Sequence, residues 1–281
     1  MRKLILPISL ASPLFAHHGQ DFLVTLDAAP LASGEFLSLT RTEFTSYQSE
    51  EEFGVSQSLL AGLPGDLSIG ATFLLTNNAE DFSDNALALS PSIQWSPEFS
   101  RIGSLSFSLS GAWEFALREQ DSHHHDHGEE IPVDDCSALI GIPHLYQACL
   151  AANENRQNHT HDESHDHGGI HRHGQSHGTL RLIADWDATD HFKIAGNLIA
   201  VFPEGDSPAF GYALAMRQEV TSWLALGLEG TGDFDSGGEH LALATATFRP
   251  THHHTLLIGA GTGLGDESAE LSLHTSFNWR F

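Results

Sequence analysis

Long stretches of the sequence alternate between apolar and polar residues. Residues 103–117 read GSLSFSLSGAWEFAL, with large apolar side chains on one face and small or polar ones on the other. The final stretch, AELSLHTSFNWRF, repeats the pattern over residues 269–281. Because successive side chains of a β-strand point to opposite faces, this period of two predicts strands with one apolar and one polar face. Strands of soluble sandwiches usually end near about five or six residues, so these stretches are unusually long.

We place about twelve such strands along the chain. Their approximate bounds are residues 35–47, 53–61, 67–76, 86–95, 103–117, 178–187, 191–202, 209–218, 222–231, 239–249, 254–263 and 269–281. The connections GLPGD, SPEFSRI, WDATDH, QEVTS and RPTHH are short, whereas TNNAEDFSDN, FPEGDSPA, GDFDSGGEH and residues 118–177 are longer and polar. An even number of strands, with short turns on one rim and long loops on the other, is typical of bacterial outer-membrane barrels.

The pattern therefore predicts an all-β fold: a transmembrane antiparallel up-and-down β-barrel of about 12 strands over residues 35–281. Its apolar faces would meet outer-membrane lipid, because a closed sheet leaves no unpaired edge. Tryptophans near the strand ends fit an aromatic girdle: Trp95, Trp113, Trp186, Trp223 and Trp279. Charged side chains on the polar faces are expected to form a salt-bridged lumen lining rather than a selectivity filter: Arg41, Glu43, Glu114, Arg181, Asp185, Lys193, Glu270, His274 and Arg280.

The chain ends on Phe281, in the sequence NWRF. An aromatic last residue on an amphipathic final strand resembles the assembly signal of Gram-negative outer-membrane β-barrels. The resemblance is to this architecture as a class, because the motifs are generic and single out no functional family. Together with the turn pattern, it implies an outer-membrane location with both termini in the periplasm. Residues 118–177 would then form one long His-rich extracellular loop.

The first residues, MRKLILPISLASPLFA, have the three parts of a secretory signal. A basic start at Arg2 and Lys3 is followed by an apolar stretch that ends at Ala16, a small residue suited to cleavage. We therefore expect a signal peptide at residues 1–16 and a periplasmic N-terminal segment at residues 17–34. The formal charge of −25 argues against nucleic acid as a partner, since binding its phosphates requires Lys and Arg.

Histidine is concentrated in the predicted loop, where it is interleaved with aspartate and glutamate. Neutral imidazole is a good ligand for Zn²⁺, Cu²⁺ and Ni²⁺, and carboxylates can complete the coordination shell. The predicted metal ligands are His123, His124, His125, His127, His159, His161, His165, His167, His171, His173, His177, Asp126, Asp162 and Asp166.

The H-x-H spacing within this Gly-containing loop defines many similar sites rather than one rigid tetrahedron. Bound metal would then be labile and exchangeable, which suits capture, buffering or transfer better than catalysis. Zn²⁺ is our first choice of metal, with Cu²⁺ or Ni²⁺ as alternatives, and no organic cofactor is expected. The competing interpretation is a disordered polar loop whose histidines have no function.

The two cysteines, Cys136 and Cys149, lie between the histidine runs. Export permits a disulfide between them, and a pair of metal-ligating thiolates is the alternative. A weaker second metal site is a further hypothesis, with solvated turn histidines as its alternative; its residues would be His17, His18, His252, His253 and His254.

Three classes of function follow from these features. The first is metal capture, buffering or passive transport in the outer membrane, with divalent metal ions and an outer-membrane or periplasmic metal-handling protein as partners. The second is a general small-solute channel or structural barrel with incidental metal binding. The third is a lipid-modifying enzyme that would use Ser272, His274 or Ser276, but no lipase motif surrounds them, so we expect no enzyme. The chain is too short for an energised receptor, whose barrel uses about 22 strands and a plug.

Overall fold

The structure is a computed structural model that describes residues 21–47, 51–78, 85–118, 176–205, 207–234, 238–265 and 268–281. The predicted signal peptide, His17, His18, both cysteines and residues 119–175 of the predicted loop lie outside the described residues. None of the described residues forms a helix that is long and apolar enough to cross a membrane.

Twelve β-strands form one closed barrel in which every strand pairs antiparallel with its sequence neighbours. A short 3₁₀ turn, Glu98–Ser100, lies between the fourth and fifth strands. The strands are β1 Phe36–Ser46, β2 Glu51–Leu63, β3 Leu67–Asn78, β4 Asn85–Trp95, β5 Leu105–Arg118, β6 His177–Thr189, β7 Phe192–Pro203, β8 Ala209–Thr221, β9 Leu224–Asp233, β10 His240–Phe248, β11 His254–Gly263 and β12 Leu271–Arg280. The predicted fold class is confirmed.

The barrel closes where the first strand meets the last. β1 pairs with β12 from Leu37 opposite Arg280 to Ser46 opposite Leu271. At the end of this seam the amide of Phe36 donates to the Phe281 carbonyl at 2.9 Å, and the reverse bond measures 3.0 Å. The two rings stack with centroids 5.9 Å apart. The C-terminal aromatic residue therefore lies at the seam that turns a sheet into a barrel.

The two faces of the strands differ as the alternation predicts. In β12, Ser272, His274 and Ser276 are buried, whereas Leu273 and Phe277, which alternate with this face, are exposed on the outer surface. Outward apolar side chains and inward polar ones are the arrangement that lipid outside and polar contents inside require.

Some predicted boundaries were wrong by a few residues. Arg118 and His177, placed in the loop by the sequence, are the last residue of β5 and the first residue of β6. Glu270, expected on a lumen face, precedes β12 and is exposed, and Arg280 is only partly buried at its last position. Alternation defines the middle of a strand well but weakens at its ends, where the chain leaves the sheet.

The two rims differ in the length of their connections. The rim that carries both ends of the barrel chain has short links, such as the three residues between β2 and β3 and the two between β6 and β7. We call it the short-turn rim. The opposite rim carries the longest connection, between β5 and β6, and we call it the long-loop rim.

Residues 21–31, here named the inner segment, lie inside the barrel. Phe22, Thr25 and Ala28 are essentially inaccessible, at 0–1% exposure. The sequence predicted a periplasmic segment at residues 17–34, and the described part of that range occupies the lumen next to the short-turn rim. Which side of the membrane this rim faces stays a prediction.

Candidate functional site

Side chains of the barrel wall hold the inner segment by bonding its backbone. Glu229 of β9 accepts hydrogen bonds from three consecutive amides. Its Oε1 accepts the amide of Leu23 at 2.8 Å, and its Oε2 accepts those of Val24 at 2.9 Å and Thr25 at 3.3 Å. Hydrogen bonds to an ionised carboxylate are stronger than those between neutral groups. One wall residue thus satisfies a stretch of backbone that would otherwise be buried without partners.

Asn197 of β7 binds both backbone groups of Leu26, its amide and its carbonyl. Its Oδ1 accepts the amide of Leu26 at 2.7 Å, and its Nδ2 donates to the Leu26 carbonyl at 3.0 Å. This pairing replaces the partners that a neighbouring strand would supply. Three more bonds of the same kind join Ala28 N to Asp185 (2.8 Å), Gln94 to the Asp27 carbonyl (2.8 Å) and Leu31 N to Ser68 (3.0 Å).

Lys193 of β7 joins the inner segment to the wall by charge. Its ammonium group is in direct contact with the Asp27 carboxylate, 3.0 Å from Asp185 of β6 and 3.7 Å from Asp21. All four side chains are almost fully buried. Buried charges are stable only when they are paired, so Asp27 and Asp185 depend on Lys193 for their pairing.

Asp21 is also bound by two arginines near the short-turn rim. Arg217 contacts its Oδ1 directly, and Arg249 Nη2 lies 3.0 Å from the same oxygen. Arg249 also binds Glu219 at 2.8 Å. Together these groups form what we call the base cluster, three cations facing four carboxylates: Lys193, Arg217, Arg249, Asp21, Asp27, Asp185 and Glu219.

The two aspartates of the inner segment differ in their protonation. Burial, with the neighbouring carboxylates of Asp21 and Asp185 and against the opposing charge of Lys193, raises the pKa of Asp27 to about 7. Burial also acts on Asp21, but Arg217 and the other nearby cations prevail and hold its pKa below the ordinary value. A proton kept on Asp27 balances the excess of one carboxylate in the base cluster.

Phe22 anchors the inner segment in an apolar slot of the wall. Its ring packs with Ala195 of β7 and Ala215 of β8. Lys193 Nζ and the Arg217 guanidinium carbon each lie 5.9 Å from the ring centroid, within cation–π range. The alanines are small enough to admit the ring, so the wall sequence accommodates this side chain.

A cavity of about 450 Å³ remains above the inner segment. Leu23, Val24 and Leu26 form part of its floor, and it extends to Glu52 and His177 at the long-loop rim. Serine and threonine side chains supply much of its wall. This volume lies within the ~300–1,000 Å³ range of small-molecule pockets.

Apart from Glu270 and Arg280, the charged residues predicted for the lumen fall into two groups. Asp185 and Lys193 bind the inner segment, as described above, and confirm the prediction of a salt-bridged interior. The others line the open cavity: Arg41, Glu43, Glu114, Arg181 and His274. The partners of Asp185 and Lys193 in the inner segment were not predicted.

The predicted metal ligands are only partly within the described residues. His177 lines the cavity, and His252 and His253 are exposed in the turn before β11. His254 stacks on Phe277 and Trp279 at centroid distances of 5.9 and 6.0 Å. Within the described ranges, no three His, Cys, Asp or Glu side chains are grouped so that they could hold a metal ion. The other proposed ligands are outside those ranges.

The serine and histidine considered for catalysis do contact each other. Ser272 Oγ lies 2.7 Å from His274 Nε2, and Glu43 Oε1 lies 3.7 Å from that same nitrogen. In a catalytic triad the acid orients the histidine through its other nitrogen. Ser272 is also fully buried. This contact therefore belongs to the lumen lining, and we assign it no catalytic role.

Two features of the sequence other than periodicity indicate that residues 21–31 are buried. Residues 21–31, DFLVTLDAAPL, are too apolar for a solvated tail. Glu229 is the single acidic residue within the otherwise neutral stretch LALGLEGTG, and it is buried. A lone charge on a lumen face implies a partner elsewhere in the chain.

No protein-family model matches the chain, and no curated protein is significantly similar to it. Solved structures are similar in fold. An outer-membrane channel from Pseudomonas putida F1 shares 12% identity with a TM-score of 0.54, covering 91% of this chain and 98% of its own. The KdgM porin shares 6% identity with a TM-score of 0.52, covering 87% and 99% of the two chains. The NanC porin shares 8% identity with a TM-score of 0.52, covering 86% and 98%. These likenesses show a common fold: the chain is a closed antiparallel β-barrel of the kind found in outer-membrane porins and channels.

Proposed function

We propose that the protein is an outer-membrane channel for small polar solutes whose own inner segment closes the lumen at the short-turn rim. The observation that carries the proposal is the docking of this segment: consecutive backbone amides bind Glu229 and Asn197, and its aspartates bind Lys193 and Arg217. The porins of similar fold support a channel role. The polar cavity above the segment supplies room for a solute.

The docked segment is suited to movement. It forms no regular strand or helix, and it is held by hydrogen bonds and ion pairs that water and salt can replace once the segment leaves. Phe22 is its largest fully buried side chain. Displacement would join the cavity to the short-turn rim, so the segment would act as a gate.

A flux measurement tests this function. Proteoliposomes with the chain lacking residues 21–31 should admit glucose and similar small solutes much faster than proteoliposomes with the full-length protein, because the floor of the cavity is gone. Both proteins must first show the heat-dependent electrophoretic shift of a folded barrel. A folded, truncated barrel that admits no more solute than empty liposomes would contradict a channel function.

Metal handling by the His-rich loop is a second proposed function. The specific observation in its favour is position: the loop joins the barrel at Arg118 and His177, and His177 lines the cavity mouth. Zn²⁺, Cu²⁺ or Ni²⁺ held there would be concentrated at the entrance of the lumen. Capture, buffering or delivery to another metal-handling protein would all use this placement.

Metal binding should be lost when the loop histidines are replaced by Asn and should weaken as the pH falls through about 6.5, because only neutral imidazole coordinates. A single change such as His159→Ala should have little effect, since the ligands are redundant. Calorimetric titration with Zn²⁺ measures the stoichiometry and affinity of metal binding in the unaltered protein and in each variant. The same stoichiometry with and without the loop histidines would show that the ligands lie elsewhere, with His17, His18, His252, His253 and His254 to be replaced next.

A further inference from the structure

Two arginines face each other across the cavity. Arg41 lies on β1 and Arg181 on β6, strands that are five places apart around the ring in one direction and seven in the other. The side chains therefore project from nearly opposite walls. Both line the cavity, and they are close enough for their charges to repel. Two guanidinium groups therefore line this cavity from nearly opposite walls.

Neither guanidinium has an ion-pair or hydrogen-bond partner among the described residues of the barrel and inner segment. Nε of Arg41 is buried and unsatisfied. Arg41 feels the charges of Glu43 and Glu229, but neither carboxylate comes within 4 Å of it. Both side chains are half-buried. Two half-buried like charges without a carboxylate partner repel each other, and an anion that binds between them is stabilised by both.

The carboxylates that could have neutralised Arg41 are engaged by other groups. Glu229 accepts the three amides of the inner segment, and Glu43 Oε1 lies 3.7 Å from His274. These contacts leave Arg41 and Arg181 on the cavity wall without a carboxylate within ion-pair distance among the described residues. Their positive charge is opposite in sign to the net charge of the whole chain.

The rest of the cavity wall at this level offers hydroxyl groups. Ser56 on β2 pairs with Arg41 and Ser110 on β5 pairs with Arg181, and both serines line the cavity. Hydroxyls both donate and accept hydrogen bonds, so they suit a ligand that itself carries hydroxyl groups. A planar guanidinium binds two oxygens of a carboxylate or phosphate at once.

We propose that Arg41 and Arg181 form a binding site for a small hydroxylated solute that carries a carboxylate or phosphate group. The site deepens the proposed channel function, on which it rests, by assigning the class of solute. It also implies that a bare divalent cation is repelled at this level. Metal captured by the loop would therefore stay at the mouth or enter only as a complex with an anionic ligand.

Equilibrium binding to the full-length, detergent-folded protein tests the site without requiring the channel to open. Glucuronate, glucose 6-phosphate and glucose form a matched series that differs in the presence and kind of the charged group. We expect the two anionic sugars to bind and glucose to bind at least ten-fold more weakly. Preference for the carboxylate or the phosphate identifies the charged group.

Arg41→Gln and Arg181→Gln should each weaken the anionic sugars at least ten-fold and leave glucose unchanged, while Arg41→Lys should retain part of the affinity. Arg101→Gln, in an exposed turn away from the cavity, is the matched control and should bind as the unaltered protein does. Each variant must show the heat-dependent shift of a folded barrel. Equal affinity for all three sugars, or undiminished binding by both Gln variants, would overturn the proposal. Failure here with solute flux intact in the truncated barrel would leave the channel function standing.

Discussion

Replacing Lys193 by Met is expected to release the inner segment and open the lumen at neutral pH. The change leaves three buried carboxylates, on Asp21, Asp27 and Asp185, without the cation that contacts all of them. Removing one partner of a buried ion pair typically costs about 3–5 kcal/mol, which corresponds to about two to four orders of magnitude in the docking equilibrium. Conductance across planar bilayers should rise from near zero to that of a stable open pore.

The same substitution can be rescued if charge is the cause. Asp27→Asn and Asp185→Asn preserve the shape of the side chains and an oxygen that accepts the amides of Asp21 and Ala28. The triple variant, in which both Asn substitutions are combined with Lys193→Met, should have low conductance again, because residues 27 and 185 no longer carry an unpaired charge. Conductance as high in the triple variant as in Lys193→Met would show that the ammonium group acts through its shape or packing instead.

The closed state is expected to tighten as the pH falls from about 7 to about 5. Burial and the neighbouring carboxylates raise the pKa of Asp27 to about 7 in the docked segment, whereas an aspartate in a released segment keeps the ordinary value of 3.8. Docking therefore takes up a proton between these two values. Docking of the inner segment is therefore favoured at acid pH and weakens as the pH rises towards 7. Above about pH 7, the ionisation of Asp27 no longer changes the docking equilibrium.

Asp27→Asn is the matched control for this pH effect, because Asn is neutral at every pH. The full-length protein should show conductance that rises several-fold between pH 5 and pH 7.5, and the variant should show a low and nearly constant conductance. Open-probability recordings over that range measure both. An identical pH profile in the two proteins would place the titrating group elsewhere.

The barrel was predictable from sequence because its signal is local. A strand such as β5 repeats its apolar and polar residues over its own length, and lipid on one side enforces the same rule in every strand. The ends were less certain: Arg118 and His177 belong to strands although their neighbours are polar loop residues. Periodicity identifies the strand but not the last residue that bonds to the sheet.

The inner segment was not predictable in the same way because its contacts are distant in sequence. Leu23 bonds to Glu229, 206 residues away, and Leu26 bonds to Asn197, 171 residues away. It has no periodic pattern, since its backbone partners are side chains rather than a neighbouring strand. The charged lumen residues Asp185 and Lys193 were identified, but their partners were expected on the wall. A compact charge cluster with an unexplained apolar segment upstream was the available clue.

The central claim is that the inner segment itself is the barrier in the lumen. A thiol lock tests this in one polypeptide: Leu23→Cys and Gly259→Cys, in a Lys193→Met background with Cys136 and Cys149 replaced by Ser. A Cβ at position 259 would lie 2.5 Å from Leu23 Cδ1, so the two thiols should come within reach of a disulfide.

The measurement is bilayer conductance of this variant before and after reduction, with the cross-link verified by mass spectrometry. We predict a closed pore when the segment is cross-linked to β11, an open pore after reductant is added, and closure again on reoxidation. The variant with Gly259→Cys alone should stay open throughout. Equal conductance in the cross-linked and reduced states would contradict the claim that this segment gates the channel.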